Sequence, residues 1–313
     1  MNLKILFIDE VHPALQEELE KQGFQCDLNY SLSREEIQAR ICDYDGIVIR
    51  SKIKLDKNIL EKVSHLKFIA RFGAGMENID VVYAESKGIK CIHAPEGNRD
   101  AVGEHTLGML LALFNNICRA DKEVREGKWI REGNRGLELK GKTAGIIGYG
   151  NMGSAFAKRL EGFDIKVLAY DKYKKGFSNK FVKEASLEKL FEEADIISLH
   201  VPLTMETHFM VNDKFINTFK KNFYLINTSR GKIVKTDELV NNMKSGKVSG
   251  ACLDVLEYEN TSFENIQQSD LPEAFQYLLQ SDKVVLSPHI AGWTNESNEK
   301  MAKVLAEKIK KLK

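Results

Sequence analysis

Apolar residues along this chain follow two alternating patterns. Short unbroken apolar runs mark strands buried on both faces, and apolar residues recurring every three or four positions mark amphipathic helices. In the first third of the chain the two patterns take turns. They predict strands over 3–8, 25–28, 46–49, 68–71 and 90–93, and helices over 13–22, 34–41, 57–63 and 81–87. Ser33 and Glu36 carry the spacing of a capping box for the second helix, and Gly23 and Gly88 stand where helices should stop. Repeated βα units imply a parallel, doubly wound sheet covered on both faces.

Residues 98–115 read as one long apolar helix, a spacer between domains. The alternation then resumes, with strands over 142–147, 166–170, 195–200, 224–227, 249–253 and 284–286, and helices over 154–160, 273–279 and 296–312. Residues 260–282 are irregular and polar and interrupt the second sheet as an insertion. The predicted fold class is α/β, with two doubly wound parallel-sheet domains. A length of 313 residues, long for a single core, agrees with two domains.

Charge and cysteine usage narrow the function classes. Acidic and basic residues are interspersed and sum to a formal charge of +1, with no basic block for nucleic acid and no acidic tail. Lys308, Lys310, Lys311 and Lys313 dress a terminal helix. Five scattered cysteines without CxxC spacing argue against disulfides and against a zinc site. Cys91, Cys118 and Cys252 lie in apolar runs and are expected in the core. No cleavable leader pattern and no apolar stretch of membrane-spanning length are found, so a cytoplasmic protein with no membrane partner is expected.

One element changes this picture from fold to chemistry. The strand over 142–147 runs directly into Gly148-Tyr149-Gly150-Asn151-Met152-Gly153, then into a helix, then into a second strand ending at Asp171. This is the dinucleotide-binding fingerprint in its strand–turn–helix setting. Gly148 allows the tight turn, Gly150 lets backbone approach a pyrophosphate at the helix N-terminus, and Gly153 lets the helix pack on the strand. Asp171, eighteen residues beyond Gly153, stands where an acid accepts the ribose hydroxyls. Its charge would repel a 2′-phosphate, which favours NAD over NADP.

Three further segments each follow a predicted strand, and the carboxyl ends of such strands face the binding crevice. Asn227-Thr228-Ser229-Arg230-Gly231 presents an arginine, whose planar fork suits a carboxylate, although a turn arginine in solvent would look the same. Asp254-Val255-Leu256-Glu257-Tyr258-Glu259 gathers three carboxylates, of which one need be functional. Ser287-Pro288-His289 sets a histidine after a proline at a strand end, and histidine exchanges protons near neutrality. Together they fit the reduction of a 2-oxo acid. His289 exchanges the proton, a carboxylate orients the imidazole, with Glu259 the first choice, and Arg230 holds the substrate carboxylate. His200 ends a strand and lines the cofactor crevice. His12, His65, His93, His105 and His208 are weaker candidates.

In this order of motifs the chain resembles the D-isomer-specific 2-hydroxyacid dehydrogenases over nearly its whole length. The resemblance rests on Arg71-Phe72-Gly73-Ala74-Gly75-Met76-Glu77-Asn78-Ile79-Asp80, on Glu104-His105-Thr106-Leu107-Gly108-Met109, on the glycine loop, on His200-Val201-Pro202-Leu203-Thr204 and on the three segments above. It implies a flavodoxin-like substrate domain from residues 1–97 and 290–313, a Rossmann NAD-binding domain from 98–289, an active site in the cleft between them, and a homodimer joined through the nucleotide domain. It assigns Arg230, His289 and Glu259 as the catalytic groups, since the acid falls five residues after Asp254 and Glu257 does not align. It puts the backbone of Ala74, Gly75 and Met76 on the substrate carboxylate. Thr106, His200, Val201, Pro202, Thr228 and Asp254, with the glycine loop and Asp171, fall against the cofactor. No metal is implied.

Asn260 stands where the family often has proline, and the spacing from Glu259 to His289 is longer than in compact members. Arg50, Ser51 and Arg71 resemble positions that face the phosphate of phosphoglycerate dehydrogenases, and Lys52 and Arg135 add positive charge. The leading substrate expectation is therefore 3-phosphoglycerate, in serine synthesis, without the regulatory domain some such enzymes carry. D-lactate, glycerate, hydroxypyruvate and glyoxylate are the alternatives. Some relatives instead serve as NAD-sensing corepressors, a role expected to bring disordered tails that this sequence does not show.

Overall fold

The computed structural model describes residues 3–259 and 272–312. The chain divides into two compact units, one of Met1–Arg99 with Trp293–Lys313 and one of Asp100–Gly292. Both are α/β, and every sheet pairing is parallel.

The first unit carries strands β1 (Lys4–Phe7), β2 (Gln25–Leu28), β3 (Gly46–Ile49), β4 (Phe68–Arg71) and β5 (Lys90–His93), in the spatial order β2-β1-β3-β4-β5. β3 is buried along its whole length, as a central parallel strand must be when helices cover both faces. Helices α1 (Ala14–Lys21), α2 (Arg34–Arg40), α3 (Lys57–Leu60) and α4 (Val81–Ser86) connect the strands. The Ser33–Glu36 capping box forms at the start of α2. Gly23 and Gly88 follow α1 and α4 with φ of 80° each, the left-handed geometry of a helix stop. The helix expected over 57–63 closes at Leu60, because the next turn tightens to Lys62→Ile59 and Val63→Leu60 bonds.

The C-terminal helix returns to this unit. Among the helices that follow, α5 (Pro95–Phe114) begins three residues earlier than the expected spacer, since proline needs no N–H in a first turn. The last helix, α12 (Asn295–Lys310), starts from a Thr294–Ser297 capping box. It buries Met301, Ala302, Leu305, Ala306 and Ile309 in one stripe against Ile5, Phe7, Leu15 and Leu19. Lys308 does more than dress this helix: its Nζ donates to the His93 carbonyl at 2.8 Å and to the Glu96 carboxylate.

The second unit carries β6 (Thr143–Ile147), β7 (Lys166–Tyr170), β8 (Val182–Glu184), β9 (Ile196–Leu199), β10 (Phe223–Asn227), β11 (Val248–Leu253) and β12 (Val284–Leu286), in the order β12-β11-β10-β9-β6-β7-β8. The chain reverses direction of winding between β6 and β9, the switch point at which such sheets bind ligands. Its helices are α6 (Ile117–Arg125), α7 (Asn151–Arg159), α8 (Leu187–Glu193), α9 (Asp213–Thr218), α10 (Thr236–Lys244) and α11 (Glu273–Gln280). β8 was not expected from the apolar pattern, for it is a three-residue edge strand with only Val182 buried. Cys252 lies in the core as expected, Cys91 is half-buried, and Cys118 is exposed. Cys118 belongs to α6, whose apolar residues face outward and of which none is buried. The first part of the expected insertion, 260–271, lies outside the described residues, and α11 occupies part of its remainder.

Candidate active site

The glycine loop sits at the switch point of the second sheet. Gly148 has φ of 92°, and a Cβ on it would stand 2.4 Å from the His200 carbonyl oxygen. A Cβ on Gly153 would stand 1.9 Å from the Gly148 carbonyl oxygen, so α7 packs on the loop only because glycine is there. Around Gly150 a Cβ would meet nothing within 4 Å, which leaves its backbone open to approach. The orphan N–H groups of Asn151 and Met152 at the first turn of the nine-residue α7 face the same way as the helix dipole.

Asp171 accepts hydrogen bonds from the backbone N–H of Tyr149 at 2.8 Å, Tyr173 at 2.9 Å and Lys174 at 2.8 Å. Burial alone would raise its carboxyl, but these donors and the Lys174 ammonium outweigh burial and hold it below the ordinary carboxylate value. Tyr149 is buried, with its ring stacked on Phe177 at 4.4 Å. Across the switch point His200 donates its backbone N–H to Ile147 at 2.8 Å. Its Nε2 pairs with Ser198 Oγ at 2.8 Å, and its Nδ1 is buried without a partner among the described residues. Desolvation lowers this ring to a pKa of about 3, so it is neutral. Val201 is half-buried, and Pro202 is exposed with its carbonyl accepting the Thr207 hydroxyl at 2.6 Å. An open Gly150 backbone, a helix N-terminus and an ionised acid at the end of the second strand fit NAD.

Behind this loop Thr106 is fully buried, donating to the Val102 carbonyl at 2.6 Å and lying 3.2 Å from the Thr228 hydroxyl. Thr228 begins the arginine loop. Asn227, buried at the end of β10, accepts from the Ser229 N–H and hydroxyl, and its amide donates to the Arg230 carbonyl at 2.9 Å. Arg230 itself is extended and donates from Nη1 to the Ser229 carbonyl at 2.6 Å. Gly231 makes the next contact possible: a Cβ there would stand 1.9 Å from the Leu256 carbonyl oxygen. The arginine loop and the acidic loop thus lie backbone to backbone.

The acidic loop delivers Glu259 to His289. Glu259 Oε1 accepts from the Leu256 N–H, and Oε2 accepts from His289 Nδ1 at 2.7 Å. A carboxylate can only accept, so Nδ1 carries the proton and Nε2 is the nitrogen left for exchange. His289 holds φ of 57°, a left-handed backbone that a non-glycine residue adopts only when its surroundings impose it. Its own N–H donates to the Asp254 carbonyl at 2.7 Å. Asp254, which the resemblance puts near the nicotinamide, is 1% exposed and spends its carboxylate on the histidine loop. Glu257 accepts from the Thr236 N–H at 2.8 Å and so caps α10 instead of joining the pair.

In the first unit, the Ala74 carbonyl meets His93 Nδ1 at 2.5 Å, while no hydrogen bond is donated by the N–H groups of Ala74, Gly75 and Met76 among the described residues. Asp9 accepts from the consecutive N–H groups of Arg50, Ser51 and Lys52 at 2.6, 3.1 and 3.2 Å, fixing the turn after β3. Arg71 Nε donates to the Arg50 carbonyl at 3.2 Å, and the Arg50 guanidinium lies 4.0 Å from the centre of the Trp293 ring. Lys52 Nζ reaches the Tyr30 carbonyl. Arg135, in the second unit, is turned to a bidentate pair with Glu132. Of the weaker histidine candidates, His105 lies 2.9 Å from the Ser287 hydroxyl, beside the histidine segment.

Residues 107–291 match the family model described as D-isomer specific 2-hydroxyacid dehydrogenase, NAD binding domain. The chain is 39% identical over 284 residues to a glyoxylate reductase of Thermofilum pendens, covering 88% of this chain and 80% of that protein. It is 35% identical over 309 residues to a D-3-phosphoglycerate dehydrogenase of Archaeoglobus fulgidus, covering 98% of this chain and 56% of that protein. The chain therefore spans little more than half the length of that relative. Among solved structures, D-lactate dehydrogenase from Aquifex aeolicus, complexed with NAD and lactic acid, superposes with a TM-score of 0.83 at 31% identity, covering 98% of this chain and 94% of that one. With its NAD-binding model matched over most of the second unit and relatives aligned along nearly its full length, the chain belongs to the D-isomer-specific 2-hydroxyacid dehydrogenase family.

Proposed function

We propose that the protein is an NAD-dependent oxidoreductase that interconverts a D-2-hydroxy acid and its 2-oxo acid. The 2.7 Å bond between His289 Nδ1 and Glu259 Oε2, beside the Arg230 loop, carries this reading. NADH held at the Gly148–Gly153 loop and Asp171 would supply the hydride for C2. As the carbonyl oxygen gains charge, His289 gives it the proton from Nε2, and the hydroxyl forms. Glu259 stabilises the imidazolium before transfer and holds the tautomer afterwards. Arg230 forks onto the substrate carboxylate and polarises the carbonyl. In the oxidative direction each proton step reverses.

The leading substrate is 3-phosphoglycerate. Its support is Arg71, which lies against Gly73 at the start of the 73–76 loop and donates from Nε to the Arg50 carbonyl at 3.2 Å. Unphosphorylated acids such as glyoxylate or hydroxypyruvate are the second reading, supported by the fuller coverage of the glyoxylate reductase. The test is turnover of NADH or NAD by purified protein against D-3-phosphoglycerate, D-lactate, D-glycerate, glyoxylate and hydroxypyruvate. Turnover of the phosphorylated acid alone supports the first reading, and turnover of small oxo acids alone supports the second. Tight NADH binding with no turnover overturns both in favour of a sensor.

The partner proposed beyond substrate is a second copy of this chain. Ile117, Val124, Trp129, Ile130 and Leu137 are all exposed, and hydrogen bonds from Arg119 and Asn134 fold the 128–137 segment against α6. Several charges around them pair within the patch, as Arg125–Asp121, Lys128–Glu126 and Arg135–Glu132. An apolar patch whose rim carries ion pairs of both signs suits its own copy across a two-fold better than a charged partner.

A further inference from the structure

Behind His289 lies a hydrogen-bond chain that the proposed mechanism leaves unused. The buried Asp254 carboxylate accepts from Ser287 Oγ at 2.6 Å and from the Ile290 N–H at 2.9 Å on Oδ1, and from the Ala291 N–H at 2.9 Å on Oδ2. On the far side of Ser287, His105 Nε2 lies 2.9 Å from the same hydroxyl and 3.6 Å from Asp254 Oδ1. The directions follow from counting protons. A serine has one hydroxyl hydrogen, and a carboxylate outcompetes the Met109 Sδ at 3.6 Å as its acceptor. Ser287 therefore donates to Asp254, and its oxygen accepts from an Nε2–H on His105.

This chain encloses the strained residue. The N–H groups of Ile290 and Ala291, just beyond His289, are held by the side chain of Asp254, and the N–H of His289 is held by the backbone of the same residue. A buried carboxylate keeps its place only while its lone pairs are satisfied. We infer that His105 and Ser287 are positioning residues: they lock Asp254 in the orientation that keeps His289 in its left-handed conformation and its Nδ1 on Glu259. The inference rests on the reading of His289 as the proton carrier, and it assigns a role to α5, from which His105 projects.

The test uses the full chain with Ser287→Ala, Ser287→Thr, His105→Leu and His105→Gln. The Ala and Leu variants remove a link, while Thr keeps the hydroxyl and Gln keeps a donor. The lock predicts that Ala and Leu lower kcat about 10–100-fold with the KM for NADH unchanged, and that Thr and Gln stay within about threefold of wild type. Amide exchange at Ile290 and Ala291 should quicken in Ser287→Ala while β6 and β10 stay protected. Wild-type kcat in a folded Ser287→Ala, or a Thr variant as impaired as the Ala variant, overturns the inference. If Ser287→Ala fails to fold, the His105 pair decides in the same terms. A wild-type protein that turns over no 2-oxo acid would refute the functional reading, while exchange at residues 290 and 291 would still decide the lock.

Discussion

His289 and Glu259, thirty positions apart in sequence, meet with Nδ1 2.7 Å from Oε2. The bond sets the tautomer of the imidazole. Replacing Glu259 with Gln keeps the shape and removes the charge. The expected result is a fall in kcat of about 10²–10⁴-fold, the range of a general acid–base contribution, with NADH affinity within about twofold of wild type. Stopped-flow turnover and NADH fluorescence titration check both halves. An unchanged kcat would remove Glu259 from proton transfer.

Asp171 is held ionised by three backbone N–H groups at the end of β7. Its negative charge should exclude the 2′-phosphate of NADP. Asp171→Ala is expected to raise the KM for NADH and narrow the preference for NADH over NADPH by about tenfold, near the loss of one charged contact. The ratio of kcat/KM for the two cofactors measures this, and an unchanged ratio would place the ribose elsewhere.

His200, bonded at the switch point of the second sheet, makes stability depend on pH. Folding lowers its pKa from 6.5 to about 3 through desolvation. Below pH 6.5 the unfolded chain takes up a proton that the folded ring refuses, so the stability present above pH 6.5 drains as pH falls toward 3. The slope is about 1.4 kcal/mol per pH unit for one such group. Denaturant midpoints between pH 7 and pH 5 should fall in wild type and fall less in His200→Gln. Parallel curves would show that the ring is not excluded from protonation.

How much of this was legible beforehand depends on the physics of each element. Buried parallel strands announce themselves, and the runs at Gly46–Ile49 and Lys166–Tyr170 were read to the residue. β8 was silent because an edge strand needs only one buried side chain, and α6 was silent because its apolar stripe meets no core. Gly148, Gly153 and Asp171 were legible because turn, packing and charge each demand one residue type. The His105–Ser287–Asp254 chain was not, because hydrogen bonds between residues 182 and 33 positions apart leave no local pattern. Asp254 is expected near the cofactor by resemblance alone, and its buried carboxylate accepts from Ser287, Ile290 and Ala291.

Trp129 is 81% exposed on the patch proposed to meet a second copy. Light scattering of the wild-type protein should give twice the chain mass of 35.5 kDa. Trp129→Glu buries a charge in that interface and should shift the protein to monomer at micromolar concentration. A wild-type monomer, or a variant that remains dimeric, would move the contact away from this face.

The most direct test is the handedness of the product. Purified protein is incubated with NADH and each 2-oxo acid of the panel, and the hydroxy acid is resolved on a chiral phase for wild type and for His289→Ala. The proposed function requires the D-hydroxy acid from wild type in step with NADH consumed, and almost none from His289→Ala despite retained NADH binding. An L-hydroxy acid from wild type, or undiminished D-product from His289→Ala, would contradict it.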